Sequence, residues 1–244
     1  YGHAVNLARE AGFDAVEIHA GHGYLISQFL SPYTNRRKDC FGGSLENRMR
    51  FMDMVMEEVM KAAGTDMAVL VKVNMRDGFR GGMEMDETMQ VAKRLEQSGA
   101  HALVLSGGFV SKAPMYVMRG QMPIHSMTHY MNCWWLKYGV RMVGKWMIPT
   151  VPFKEAYFLE DALKFRAEIK MPLVYVGGLV SREKIDEVLN DGFEAVQMAR
   201  ALLNEPGFVN RMREEEKAIC NCKHSNYCIC LLYTSPSPRD GLLS

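Results

Sequence analysis

The sequence predicts an α/β fold built on a parallel sheet, and three copies of one pattern carry that prediction. Gly12-Phe-Asp-Ala-Val-Glu-Ile-His19, Gly99-Ala-His-Ala-Leu-Val-Leu-Ser106 and Gly192-Phe-Glu-Ala-Val-Gln-Met-Ala199 each join a glycine to a short apolar run. Each follows a stretch with helical spacing, over Val5–Ala11, Met85–Ser98 and Arg182–Asn190. The glycine suits the left-handed residue that ends a helix, and the apolar run suits a strand covered on both faces. Two further runs, Val69–Asn74 and Leu173–Gly178, extend the alternation, with helices expected to begin near Met85, Ser181 and Ala201. Alternating βα units of this length imply parallel strands. Five strands are visible, and a closed TIM (β/α)8 barrel needs eight. Pattern alone therefore leaves an incomplete barrel and a doubly wound open sheet both standing.

Bulk composition narrows the function classes. A chain of 244 residues can hold one barrel-sized domain or two small ones. A formal net charge of +1 gives no reason to expect nucleic acid as a partner. No run approaches the ~20 apolar residues of a membrane span, and no secretory leader pattern opens the chain. Four of the six cysteines crowd between positions 220 and 230, which is unlike a disulfide framework and points to a reducing, cytoplasmic setting. The chain opens on Tyr1 inside a helical pattern, so a fragment is expected.

The chemistry concentrates where the first strand ends. His19-Ala-Gly-His22-Gly-Tyr24 places two imidazoles and a phenol on a glycine-permitted turn, where an α/β barrel presents reactive groups at its rim. Leu30-Ser-Pro-Tyr-Thr-Asn-Arg-Arg-Lys-Asp39 and Phe41-Gly-Gly-Ser-Leu-Glu-Asn-Arg-Met-Arg-Phe51 follow. Together these segments resemble the Old Yellow Enzyme family of flavin-dependent ene-reductases and NADH:flavin oxidoreductases, in patches as far as Ile229.

That resemblance implies a TIM barrel present as its last five βα units, with FMN as cofactor and NADH or NADPH as reductant. It implies that His19 and His22 bind the carbonyl of an α,β-unsaturated substrate while Tyr24 donates the proton. By the residues alone, either histidine could simply cap the strand end, and Tyr24 could be rim packing. Lys72 lies in an apolar strand, where a lysine is costly to bury without an anionic partner. The resemblance sets it against the N1–C2 edge of the flavin, where arginine is frequent in relatives. A Schiff-base lysine and an outward-facing one are the alternatives. Gly177-Gly178 and Ala199-Arg200 are the phosphate-binding candidates, with Ala199 standing where the family usually has glycine. Gly107-Gly108 either brings the backbone close to the cofactor or makes a plain turn.

Residues 1–219 are thus read as barrel, interrupted over 109–152 by an insertion rich in Met and aromatic residues. In it Lys137, Arg141 and Lys145 fall at helical spacing and form one basic stripe. Three readings of the insertion stand: a helix packing its aromatic face over the barrel rim, a lid over a bulky substrate, or a membrane-surface helix. Residues 220–229 form a cysteine-containing tail. Cys222-Lys-His-Ser-Asn-Tyr-Cys228 resembles the Cys-x-His-Cys-Asn-x-Cys tail of some relatives, but Ser225 replaces the middle cysteine. Larger relatives similar to 2,4-dienoyl-CoA reductase carry an iron–sulfur cluster near this place. Serine is a poor substitute for thiolate, so neither cluster nor other metal is expected here. Residues 230–244 begin with Cys230-Leu-Leu-Tyr-Thr-Ser-Pro-Ser-Pro-Arg-Asp240, which reads as a translated transposase sequencing adapter and is expected to be non-native.

The sequence-based expectation is an FMN-dependent, NAD(P)H-linked reductase of a small unsaturated carbonyl compound, with homo-oligomerisation left open. A non-flavin phosphate-binding barrel using Lys72 as a Schiff base is the rival, and a degenerate barrel serving as a binding module is the third reading.

Overall fold

A computed structural model describes residues 1–120, 123–129, 131–147 and 150–228. The expected adapter segment lies outside the described residues. Five parallel strands form one sheet in sequential order: β1 (Ala15–Ala20), β2 (Ala68–Asn74), β3 (Ala102–Ser106), β4 (Leu173–Val176) and β5 (Ala195–Gln197). A doubly wound sheet reverses its strand order at a switch point; this one does not.

The sheet also curls. Four interstrand steps of about 4.8 Å would hold β1 and β5 roughly 19 Å apart in a flat sheet. Yet Gln197 Nε2 on β5 donates to Glu17 Oε2 on β1 at 2.6 Å. Only a strongly curved sheet brings the concave faces of its two edges into contact. The five strands are therefore an arc of a (β/α)8 barrel, and the open-sheet alternative is set aside.

The helices are α1 (Gly2–Glu10), α2 (Leu25–Leu30), α3 (Leu45–Ala63), α4 (Met85–Gln97), α8 (Leu159–Glu168), α9 (Arg182–Asn190), α10 (Arg200–Asn204) and α11 (Phe208–Glu214), and of these α10 borders the cavity described below. Between β3 and α8 the insertion folds as α5 (Pro114–Met118), α6 (Ile124–Met127) and α7 (Trp134–Met147). The core lies between strands and outer helices. Val69, Val71, Leu103, Leu105, Leu173 and Tyr175 are each fully buried against helix residues such as Val59, Leu95, Phe165 and Val188. Inside the arc a smaller cluster joins Ala102, Val104 and Val174 to Leu70 and Val176. Alternate residues of one strand thus feed two cores, as barrel strands require.

Three features differ from the sequence reading. β4 stops at Val176 because Gly177 and Gly178 take φ of +150° and +70°, which breaks the ladder. The unread α3 is the longest helix among those described; Ser44 Oγ caps it by accepting from Asn47 N at 3.3 Å, and Gly64 ends it at φ +61°. The expectation that the insertion packs its aromatic face on the rim fails for α7, whose Trp134, Trp135, Tyr138 and Trp146 are 74%, 64%, 66% and 89% exposed. No helix among the described residues is long and apolar enough to cross a membrane.

Candidate active site

The turn after β1 is built to hold one imidazole. Gly21 lies so close to Asn74 that a Cβ there would sit 2.7 Å from Asn74 Oδ1. His22 adopts the left-handed φ of +57°, uncommon for a side chain of its size. Its backbone N–H donates to Asn74 Oδ1 at 2.9 Å, and its carbonyl accepts from Val110 N at 3.1 Å. Gly23, at φ +83°, packs under Phe109, where a Cβ would be 2.4 Å from the ring.

Asn74 is fixed in turn by Asp77, which is fully buried. Asn74 Nδ2 donates to Asp77 Oδ1 at 2.9 Å, while Asp77 Oδ2 accepts from Ser31 Oγ at 2.6 Å and Met83 N at 2.8 Å. The left-handed turn is thus held by a buried polar network that joins α2, β2 and the loop before α4.

Out of this turn His22 reaches across the strand ends, and its Nε2 shares a 2.7 Å hydrogen bond with Oγ of Ser106, the last residue of β3. His19 lies beside it, ring centroids 4.9 Å apart, and Tyr24 flanks His19 at 5.0 Å. Tyr24 is half exposed. Burial first, then the neighbouring His19 and Lys72, push the His22 pKa down to about 4 against the opposing pull of Glu17. Burial and Lys72 lower His19 as well, again against Glu17. Near neutral pH both rings are therefore uncharged, each with one N–H to donate.

The cavity inside the arc has a volume of about 600 Å3, within the range of small-molecule sites. Its lining includes His22 from the turn after β1, Lys72 and Ser106 from β2 and β3, and Gly177, Gly178, Ala199 and Arg200 from the segments after β4 and β5. Six predicted site residues therefore share one cavity. His19, beside His22, and Tyr24, beside His19, are not among the lining residues. Gly107 and Gly108 are not among the lining residues; they sit under α5, where a Cβ would come within 3.1 Å of Tyr116 and 2.3 Å of Val117 respectively.

Lys72 does meet an anion, and it is one the sequence reading overlooked. Its Nζ pairs with Glu17 Oε1 at 2.5 Å on the adjacent strand, and both side chains are largely buried. With Gln197 bonded to the other oxygen of Glu17, the three side chains tie β1, β2 and β5 together across the cavity floor. Arg200 Nη1 donates to the carbonyl of Met118 and, at 2.6 Å, to Asn226 Oδ1. The tail crosses here: His224 stacks on Phe153 with ring centroids 3.3 Å apart, and Asn226 Nδ2 donates to Arg119 O at 2.9 Å. Cys222 and Cys228 also line the cavity. Among the described residues no group of three or more His, Cys, Asp or Glu is placed to hold a metal.

A barrel arc whose strand ends meet a cavity lined by an imidazole, a half-buried lysine, a glycine pair and an arginine is a ligand-binding barrel. Residues 1–133 match the NADH:flavin oxidoreductase / NADH oxidase family, and the chain belongs to it. It is 39% identical over 240 residues to a 4,4'-dithiodibutanoate disulfide reductase of Rhodococcus erythropolis, spanning 97% of this chain and 59% of that protein. An NADH oxidase of Thermoanaerobacter brockii is 27% identical over 208 residues, covering 85% of this chain and 27% of the relative. The fold is shared with an old yellow enzyme homologue from Zymomonas mobilis, at a TM-score of 0.63 and 22% identity over 98% of this chain and 55% of that one. The chain thus spans less than two thirds of the length of these relatives.

Membership brings FMN as flavin and a nicotinamide nucleotide as reductant. The residues present suit FMN. The cavity has the size for it, and its lining carries two cations, Lys72 paired with Glu17 and Arg200, together with the glycine pair Gly177 and Gly178.

Proposed function

We propose that the protein passes hydride from NADH or NADPH to a carbon–carbon double bond activated by an adjacent carbonyl. The observation that carries this reading is the neutral His22, locked by Asn74 and Ser106 at the mouth of the cavity beside His19 and Tyr24. Bound FMN supplies the two-electron chemistry. His19 and His22 donate N–H groups to the substrate carbonyl oxygen and draw electron density from the alkene. Tyr24 delivers the proton to the carbon that does not receive hydride. Lys72, its charge tempered by Glu17, would hold the flavin ring and stabilise the negative charge it gains on reduction. Gly177, Gly178, Ala199 and Arg200 hold the phosphate, while Gly107 and Gly108 act one step back by seating α5.

A second reading has support of its own. The Rhodococcus relative, similar over nearly the whole chain, is a disulfide reductase. With an organic disulfide as acceptor, hydride would cleave the S–S bond, and Tyr24 would protonate the departing thiolate.

Rapid-mixing measurement of the two half-reactions tests both readings. In His22→Ala, flavin reduction by NAD(P)H should keep its rate, while reoxidation by a cyclic enone should fall about 10²-fold, the usual cost of one lost oxyanion donor. Arg200→Ala should lower FMN content. Equal slowing of both half-reactions in the His22 variant would overturn the assignment. Reoxidation by a linear dialkyl disulfide but not by the enone would select the second reading.

A further inference from the structure

Between Glu96 and Glu155 the chain has no acidic residue at all. That stretch nevertheless carries Lys112, Arg119, Lys137, Arg141, Lys145 and Lys154, leaving the remainder of the chain net acidic. All three tryptophans of the protein lie in it too, and all three are on α7.

The geometry of α7 sorts these residues. Gly144 is buried against Ile124 of α6, where a Cβ would come within 3.1 Å, so that side of the helix faces the protein. Flanking it, Lys137 Nζ donates to His129 O at 3.1 Å and Arg141 Nε to Thr128 Oγ1 at 3.0 Å. At about 100° per residue, Trp134, Tyr138, Met142, Trp135 and Trp146 then span about 120° of the opposite arc, with the Lys145 position between the first two. Every one of them is between 64% and 89% exposed. Val143 and Leu136, at 49% and 42%, continue the face. No acidic side chain interrupts it.

We propose that α7 is an interfacial helix that docks this protein on an anionic membrane surface, its tryptophan face entering the headgroup layer and its cations meeting lipid phosphates. Tryptophan and tyrosine favour that layer, and an apolar arc bordered by Lys and Arg, here Lys137 and Arg141 along one side, is a pattern of helices that lie in it. The net acidic remainder would be held away from such a surface, which fixes the orientation. Two other occupants fit less well. A substrate lid would turn its aromatics toward the cavity, but among the described residues none of α7 lines it; the insertion reaches the cavity through Val117 and Met118 of α5. A twofold copy would set the cationic flanks of two α7 helices against each other with no acid to pair them.

Co-sedimentation with phosphatidylcholine vesicles, with and without phosphatidylglycerol, at low and high salt tests the proposal. The protein should bind the anionic vesicles at low salt, and its tryptophan emission should shift to the blue. Trp134→Ser/Trp146→Ser should reduce partitioning at least about tenfold. Lys137→Gln/Arg141→Gln should reduce it about fivefold per cation and flatten the salt dependence. The tryptophan variant changes exposed side chains and the cation variant half-buried ones on another side of the helix, so a folding defect in either leaves the other decisive. No binding at low salt, equal binding to neutral vesicles, or full binding by the tryptophan variant would each overturn the proposal. A dimer that the tryptophan substitutions dissociate would overturn it as well, and would give the face to a second copy of the chain.

Discussion

The turn after β1 and helix α7 are both rich in groups that are costly to place, and they treat them in opposite ways. Around His22 the chain buries polar atoms and satisfies them: Asp77, Asn74, Ser31 and Ser106 are each at most 3% exposed and joined by hydrogen bonds. On α7 it exposes apolar atoms and covers them with nothing among the described residues. The first arrangement holds a ring in one position, as a reacting group requires. The second holds a surface available, as a partner requires. A protein seldom retains either without use, since buried polar networks cost stability when incomplete and exposed aromatic faces invite aggregation.

The sharpest way to break the comparison is at Asp77. Asp77→Ala would leave Asn74 Nδ2, Ser31 Oγ and Met83 N without their acceptor in a dry interior. Each orphaned group costs about 1–3 kcal/mol, so the three together should cost at least about 3 kcal/mol, much of a domain's usual margin. Urea unfolding of the variant checks it, and Asp77→Asn, which keeps an acceptor oxygen, should recover part of the loss. A loss below about 1 kcal/mol in Asp77→Ala would mean that the turn is held by packing alone.

How much of this was legible in the sequence follows from where the information lies. The five strands were readable because a glycine and an apolar run are local signals, repeated three times. Their carboxyl ends were overrun by two residues at β4, since Gly177 and Gly178 look like a continuation until their φ values are known. The cluster His19, His22 and Tyr24 was readable because it lies within one turn. Its supports were not: Asn74, Ser31 and Ser106 contact partners 52, 46 and 84 positions away, and nothing local marks them. The same holds for Glu17, whose role as the anion of Lys72 depends on strand register. On α7 the basic stripe was visible at helical spacing, but which face turned outward was not, because amphipathicity fixes two faces and only packing says which is covered.

A second test uses acidity. The His22 pKa stands near 4 in the folded protein and near 6.5 for a free imidazole, so the unfolded chain binds the proton more readily. Stability from this ring is present above pH 6.5 and is lost as pH falls toward about 4, on the order of 3 kcal/mol. His19, lowered for similar reasons, adds in the same direction. Urea midpoints measured from pH 7 down to 4 should fall in the parent more steeply than in His22→Asn. Parallel slopes would place the titrating group elsewhere and would weaken the picture of a ring held neutral by its surroundings.

The smallest effect is expected on α7, and its smallness is informative. If Trp134, Trp135 and Trp146 served the fold, replacing them would open cavities at a cost of about 3–5 kcal/mol each. With 74%, 64% and 89% of their surfaces already in water, there is little burial to lose. Serine at each position should change the unfolding free energy by no more than about 0.5 kcal/mol, the ordinary range for surface substitutions. Solubility should rise, because an apolar patch has been removed. Thermal unfolding of the three single variants, with light scattering alongside, measures both. A drop of several degrees in any of them would show that part of the face is covered in the folded protein. Unchanged midpoints with reduced self-association would leave these side chains with work to do outside the fold, in contrast to Asp77, whose work is wholly within it.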